Sequence, residues 1–219
     1  DGTLMVADVV GYSFMSTVSN IVLKNGKVTV HPGEMSEEGM YGGIVGAGMA
    51  SMITDCTAQA DIIIGSDTAN AGIIGGGLKL SSVVNCRASG SVSAGNNCYG
   101  LGGISGCGFA ATEFTGNTAE HVTITAGSGC FWIGGITGYA GGFEDASMGM
   151  PVTVFTDCRA EDVTIITAAD AEGAGAIVGA GFYMEGLAEA YGIEAYANPT
   201  VYVLADSEGS VTLNGEILG

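Results

Sequence analysis

The chain has 219 residues, 47% hydrophobic and only 13% charged, which is apolar material enough to bury a substantial core in a single domain spanning 1–219. Twenty-three Asp and Glu against five Lys and Arg give a formal charge of -18, and a surface this negative repels phosphate backbones, arguing against nucleic acid and anionic membranes as partners. The sequence holds no apolar run of the length that spans a bilayer, and its thirty-nine glycines follow no three-residue period, which excludes collagen.

The first residue is Asp1, with no initiating Met and no basic stretch, so the chain reads as a processed or excised piece. Scarce charge with abundant Ser, Thr and Asn suits an extracellular or cell-surface setting. Six cysteines are too sparse for a disulfide scaffold, and none forms Cys-x-x-Cys, which leaves redox and zinc readings unsupported.

From Gly11 onward a short phrase returns: "GGIVGAG" at Gly42, "AGIIGGG" at Ala71, "GGISGCG" at Gly102, "GGITGYA" at Gly134 and "GAIVGAG" at Gly175. Taking Gly11, Gly46, Gly75, Gly106, Gly138 and Gly179 as anchors, the intervals are 35, 29, 31, 32 and 41, a period that marks a solenoid, propeller or array. Each unit reads as three β segments: the glycine phrase, a stretch such as "SMITDCTA", and an alternating triplet ("VTV" at Val28, "III" at Ile62, "VSA" at Val92, "VTI" at Val122 and Val163, "VTL" at Val211). A propeller blade needs four antiparallel strands from about forty residues. The shorter intervals instead predict an all-β, right-handed parallel β-helix (β-solenoid) of about six coils of roughly 30 residues with loop insertions, its hand taken from the rule for parallel crossovers. The end coils, 1–41 and 182–219, are expected to be irregular.

Stacking like on like predicts a structural ladder through Ile21, Cys56, Cys86, Asn117 and Cys158, with Asn20, Asp55, Asn85, Gly116 and Asp157 in the neighbouring outward column. Asn117 needs an internal hydrogen-bond partner there. Asn85 with Arg87 and Asp157 with Arg159 are expected as solvent-facing pairs. Cys98 and Cys130 should be neighbours across adjacent coils, as free stacked thiols or as a bridge, with the free thiols favoured by their parallel side-chain directions. Cys107 reads as a small corner residue, and His31 and His121 as turn or surface residues.

On these phrases the chain resembles the GLUG-motif repeats of large bacterial surface proteins. The matching signature is "GGIVGAG…ITDC", "AGIIGGG…VVNC", "GGISGCG…FTGN", "GGITGYA…FTDC" and "GAIVGAG", covering Gly42 to Gly181. Asn117 departs from it in place of a cysteine. Members of that family occur in cell-surface adhesins and in non-catalytic regions of immunoglobulin A-cleaving proteases, so the resemblance implies display or spacing on a bacterial surface.

Catalysis has little to work with. The glycine phrases lead toward strands, unlike a dinucleotide fingerprint, which opens a helix. Asp55 and Asp157 lie three coils apart, about 14 Å at the strand repeat, too far to act as a pair. Asp61, Asp67, Glu161 and Asp162 lack the repeated spacing of calcium-loaded solenoids, so no metal or other cofactor is expected. A hydroxyl column through Thr29, Ser93, Thr123, Thr164 and Thr212, broken by Ile63, resembles the flat faces of ice-binding β-helices, but with one dependable rank it reads as ordinary strand filling.

Two insertions, "GGFEDASMGMP" and "FYMEGLAEAYGIEAYANPT", fall at one corner of successive coils and form the candidate ligand-binding surface. It comprises Phe143, Glu144, Asp145, Tyr183, Glu185, Tyr191, Glu194 and Tyr196, aromatics beside acids suited to carbohydrate or a basic peptide. Capping the end of the solenoid is the competing role for the same segment. "HPGEMSEEGM" is a third acidic insertion, in another turn. The function expected is a non-catalytic, secreted or surface, adhesin-like display or spacer module binding a carbohydrate or a host or cell-surface protein, with self-association open. A polysaccharide-cleaving β-helix enzyme stands second and an ice-binding protein third.

Overall fold

The computed structural model describes residues 4–30, 39–141, 153–182, 202–203, 207–214 and 216–218. The chain winds as a parallel β-helix, and no helix occurs among the described residues. One turn consists of the strands Met40–Gly42, Val45–Met49, Met52–Thr54 and Thr57–Ile64; the next repeats them as Ala69–Gly72, Gly75–Lys79, Ser82–Val84 and Arg87–Ala94. Each strand pairs in parallel with its counterpart one turn on, which builds four sheets of six, six, six and seven strands. Four turns, beginning at Met5, Met40, Ala69 and Tyr99, carry all four strands within continuous described chain. Two more, from Phe131 and Glu172, are crossed by segments outside it. The antiparallel strand Glu216–Leu218 closes the fourth sheet against Glu208–Leu213.

The core is a stack of inward columns. In the fourth sheet the strand Thr57–Ile64 alternates exposed and buried at every residue, the period of two expected of a strand with one face inside. Its buried positions continue upward as Ala58, Ala88, Ala119, Ala160 and as Ile62, Val92, Ile124, Ile165. In the third sheet Ile53, Val83, Phe114 and Phe155 form one column, the two rings stacked 5.0 Å apart.

Three details of the repeat differ from the sequence reading. A turn has four strands where three segments were expected, because the Gly-Gly-Ile-Val-Gly phrase bends at its centre. Gly43 and Ile44 make the corner, leaving Gly42 in the first sheet and Val45 in the second. Second, the anchor in the third turn is Gly76, since Val45 pairs with Gly75 and Ala47 with Gly77. Three consecutive glycines hide this register in the sequence, and the close contacts resolve it. A Cβ on Gly46 would stand 2.6 Å from Gly11 O, on Gly76 2.2 Å from Tyr41 N, on Gly106 2.5 Å from Ala71 N and on Gly138 2.3 Å from Leu101 N. The first and second sheets thus pack backbone on backbone along this glycine column, which no side chain could enter.

Third, the triplets are not all equivalent. Val92 pairs with Ile124, not with Val122, because the fourth sheet carries a β-bulge: between Ala88 and Gly90 the partner strand spends one extra residue. The bulge residues Asn25, His121 and Asp162 have φ of 53°, 52° and 52°. The hydroxyl column therefore splits. Thr29, Ile63, Ser93, Thr125 and Ile166 form one rank, while Lys27, Asp61, Ser91, Thr123, Thr164 and Thr212 form the other. These two ranks replace the single hydroxyl column through Thr29, Ser93, Thr123, Thr164 and Thr212 expected from sequence.

Candidate binding cleft

Corners impose the first chemical constraint on the site. A residue in the left-handed region turns the chain at each: Asn20, Asp55, Asn85 and Asp157 (φ 49–56°) with Gly116 at 65° form one such column, and Asp67, Asn97 and Gly129 another. Asn, Asp and Gly tolerate this conformation best. The residue that follows points inward, and its N–H is satisfied by the side chain one turn on. Cys86 N–H donates to Asn117 Oδ1 at 2.9 Å, Cys158 N–H to Ser207 Oγ at 3.1 Å, and Cys98 N–H to Cys130 Sγ at 3.4 Å. At a third corner Ser51 N–H donates to Ser81 Oγ at 3.2 Å and Ser81 N–H to Thr112 Oγ1 at 3.5 Å.

These side chains also donate back along their own chain, mostly to the carbonyl two residues earlier: Ser51 to Met49 O, Ser81 to Lys79 O, Cys56 to Thr54 O, Cys86 to Val84 O, Cys158 to Thr156 O. Ser, Thr, Cys and Asn occupy the position because it requires a small group that both donates and accepts. Cys56, Cys86, Asn117 and Cys158 are fully buried in this ladder, and Asn117 Nδ2 donates to Val83 O at 2.8 Å. The hydroxyl ladder through Ser51, Ser81, Thr112 and Thr153 escaped the sequence reading. Its signal was a hydroxyl five residues after the true anchors Gly46 and Gly76, obscured by the extra alanine at Ala110–Ala111 in the next turn.

All six cysteines are free and buried. Burial pushes the Cys107 and Cys158 thiols up. The hydrogen bond shared with Cys56 raises Cys86, and that shared with Cys130 raises Cys98, burial adding to both. Cys107 is not at a corner: it lies mid-strand in Ser105–Phe109, on the outward side of the second sheet beside Tyr139.

That outward side is where the surface departs from regularity. Its column reads Tyr12, Ala47, Gly77, Cys107, Tyr139 and Ala180 in register, the two tyrosines flanking three strands with short side chains. The missing side chains leave a cleft of about 380 Å³, within the ~300–1,000 Å³ range of small-ligand sites. One flank is the next outward column, Met49, Lys79 and Phe109, with the Lys79 ammonium 5.6 Å from the Phe109 ring centre. The other flank comes from the first sheet: Met5, Met40, Asn70 and Tyr99. Among the described residues, no Asp or Glu lines the cleft.

Asn70 and Trp132 sit in the same column of the first sheet at φ 56° and 61°. A tryptophan there is strained, and rings hold it: Trp132 stands edge-on to Phe131, Tyr139 and Tyr99 at 4.7, 5.2 and 5.7 Å. Asn70 is buried, its Nδ2 donates to Gly39 O at 3.3 Å, and among the described residues its Oδ1 has no hydrogen-bond partner. Burial raises the Tyr139 phenol beside it above the usual range.

The polar residues singled out from sequence are dispersed. Asp157 pairs with Arg159 at 2.9 Å as expected, and Arg159 reaches Glu208 as well. Asn85 does not meet Arg87: its amide donates to Asp55 Oδ1 at 3.4 Å, while Arg87 pairs with Glu120 at 3.3 Å, because the outward side chains align with the next turn more closely than along the strand. His121 meets Asp162 across two stacked bulges at 2.7 Å, both well exposed. Asp61 accepts from Ser91 on the outward face of the fourth sheet, and Asp67 from Asn97 at a corner. Among the described residues no group of three His, Cys, Asp or Glu is placed to hold a metal. His31 and the corner candidates Phe143, Glu144, Asp145, Tyr183, Glu185, Tyr191, Glu194 and Tyr196 lie outside the described residues. No family model matches the chain, and neither a curated protein nor a solved structure matches it.

Proposed function

We propose that this chain is a non-catalytic display and spacer module of a bacterial surface or secreted protein, adhesin-like in use, as its resemblance to GLUG-motif repeats implies. The observation that carries the reading is the continuity of the stack: every corner N–H named above is satisfied by the turn above it, and long segments enter at corners without breaking a sheet. Such a body holds attached surfaces at fixed spacing and orientation, because the load runs through ladder hydrogen bonds and not through loops.

The test is binding without turnover. The intact chain, and a variant with 142–152 and 183–200 shortened, would be applied to a glycan array and a panel of host surface proteins while soluble polysaccharides are assayed for cleavage products. The reading expects binding that weakens when the segments are shortened, and no products. Released oligosaccharide would overturn it in favour of the polysaccharide-cleaving alternative.

A further inference from the structure

We infer that the corner between the second and third sheets, over the first three turns, docks a basic segment of a partner protein through one apolar side chain. Four successive turns make this corner with Met15, Ala50, Leu80 and Ala110, at φ of 47°, 50°, 51° and 47°. The column of Asn20 and Asp55 and the column of Asp67 and Asn97 turn the chain in the same way with residues that accept a left-handed backbone at least cost. Met, Ala and Leu lack that tolerance. Backbone strain kept against a cheaper choice points to use of the side chains themselves, since the turn alone does not require them.

Burial does not account for these side chains either. Met15 is 73% exposed, Met52 48% and Leu80 37%. With Ala50, Ser51 and Thr17 they line a groove of about 380 Å³. Ala50 lies one turn from Met15 and one turn from Leu80, roughly 4.8 Å either way, so a short floor stands between two long walls. Met52, outward on the third sheet, borders the same space. The notch over Ala50 has the size of one Leu or Phe side chain, and thioether walls adjust to the shape of what enters. Clustered exposed apolar groups around a recess are the composition of a protein-docking site.

Charge selects the occupant. The chain carries a formal charge of -18, so a second copy of it, or an anionic membrane, is repelled from any exposed face. Among the described residues no charged side chain lines the groove, and the outward column Thr17, Met52, Ser82 continues one turn higher as Glu113, an exposed acid. Lys79, which precedes Leu80, stands over the Phe109 ring. The complement is an apolar side chain flanked by Lys or Arg: the apolar group fills the notch, and the cations meet the rim and the general negative field. The groove is lined by described residues and not by the inserted segments, so failure of this inference leaves the display reading standing.

The test is a titration of the whole chain, carrying ¹³C-methyl methionine, with the blocked peptide Gly-Lys-Lys-Phe-Lys-Lys-Gly and with the same peptide bearing Ser for Phe or Glu for Lys. The Met15 and Met52 methyl signals, assigned through Met15→Leu and Met52→Leu, should shift saturably with the Phe peptide, about tenfold or more weakly with the Ser peptide, and not with the Glu peptide. Leu80→Asn and Met15→Asn supply the sharper contrast. Each should raise the urea midpoint, because Asn suits the left-handed backbone, and each should weaken the Phe peptide about fivefold or more. Met52→Thr, a change on the outward face of a strand, should weaken it without loss of stability. Absence of saturable shifts, equal affinity for the Phe and Ser peptides, or a lowered midpoint in Leu80→Asn would each overturn the inference. So would a dimer of the native chain that Leu80→Asn dissolves, which assigns the groove to a second copy, or a shift of both methyl signals when 142–152 and 183–200 are shortened, which assigns it to the chain's own segments.

Discussion

Asn85 illustrates how much a single corner residue decides. Its φ of 53° suits Asn or Gly and penalises a β-branched side chain, so Asn85→Val should cost about 1–2 kcal/mol whereas Asn85→Gly should stay within ~0.5 kcal/mol, read from urea midpoints. Asn117 is the complementary case. Asn117→Ala would strand the Cys86 N–H and the Val83 carbonyl in the core, a loss of about 1–3 kcal/mol by the same measurement. The pairs "DC", "NC", "GN" and "DC" were legible as a two-column ladder from sequence alone. Their cause, a left-handed residue followed by an inward donor and acceptor, was not, because it depends on backbone angles that no residue count exposes. Asp170 adds a pH dependence at another corner. The Ser128 hydroxyl and the Gly129 N–H hold its carboxyl below its ordinary value of 3.8. A lowered folded-state value means the contact is fully present above that pH and is lost as pH falls through the lower value. Amide exchange at Gly129 should therefore accelerate only in strong acid, and Asp170→Asn should bring the faster exchange to neutral pH.

At the level of the strand and turn, register is the quantity the sequence conceals. Fold class followed from an interval near thirty and an alternating triplet, both visible at once. The third turn was displaced by one residue because "GGG" offers three equivalent anchors, and the upper triplets were displaced because a bulge residue such as His121 looks like any other surface residue. Removing residues 71–100 joins Asn70 to Leu101, the register partner of Ala71, and deletes one whole turn. That variant should fold with the same β spectrum and a lower urea midpoint, since stability in stacked repeats is roughly a sum over neighbouring units. Removing two residues more or fewer should abolish folding, as it would turn every ladder out of phase.

For the molecule as a whole, the thiols measure how tightly the stack is closed. The hydrogen bonds that raise Cys86 and Cys98 favour ionisation of Cys56 and Cys130, whose values come down to about 7, yet these sulfurs are buried with their partners. A thiol reagent at pH 8 should label the native chain slowly at all six sites and label all six promptly in denaturant. The cleft was not foreseen at this scale either. It arises from the order Tyr, Ala, Gly, Cys, Tyr read across five turns, a sentence written perpendicular to the chain and readable only once the strands are aligned.

The glycine column between the first and second sheets has a practical corollary. In every turn that corner is two residues long, as at Gly43–Ile44, Ile73–Ile74 and Gly103–Ile104, whereas the long excursions of the chain fall between the second and third sheets or between the fourth and the first. A grafted epitope would be accepted on those sides and rejected at the crease, where even an added methyl meets main chain. Cargo carried by such a rod would consequently project along chosen flanks, leaving one flank bare along its whole length.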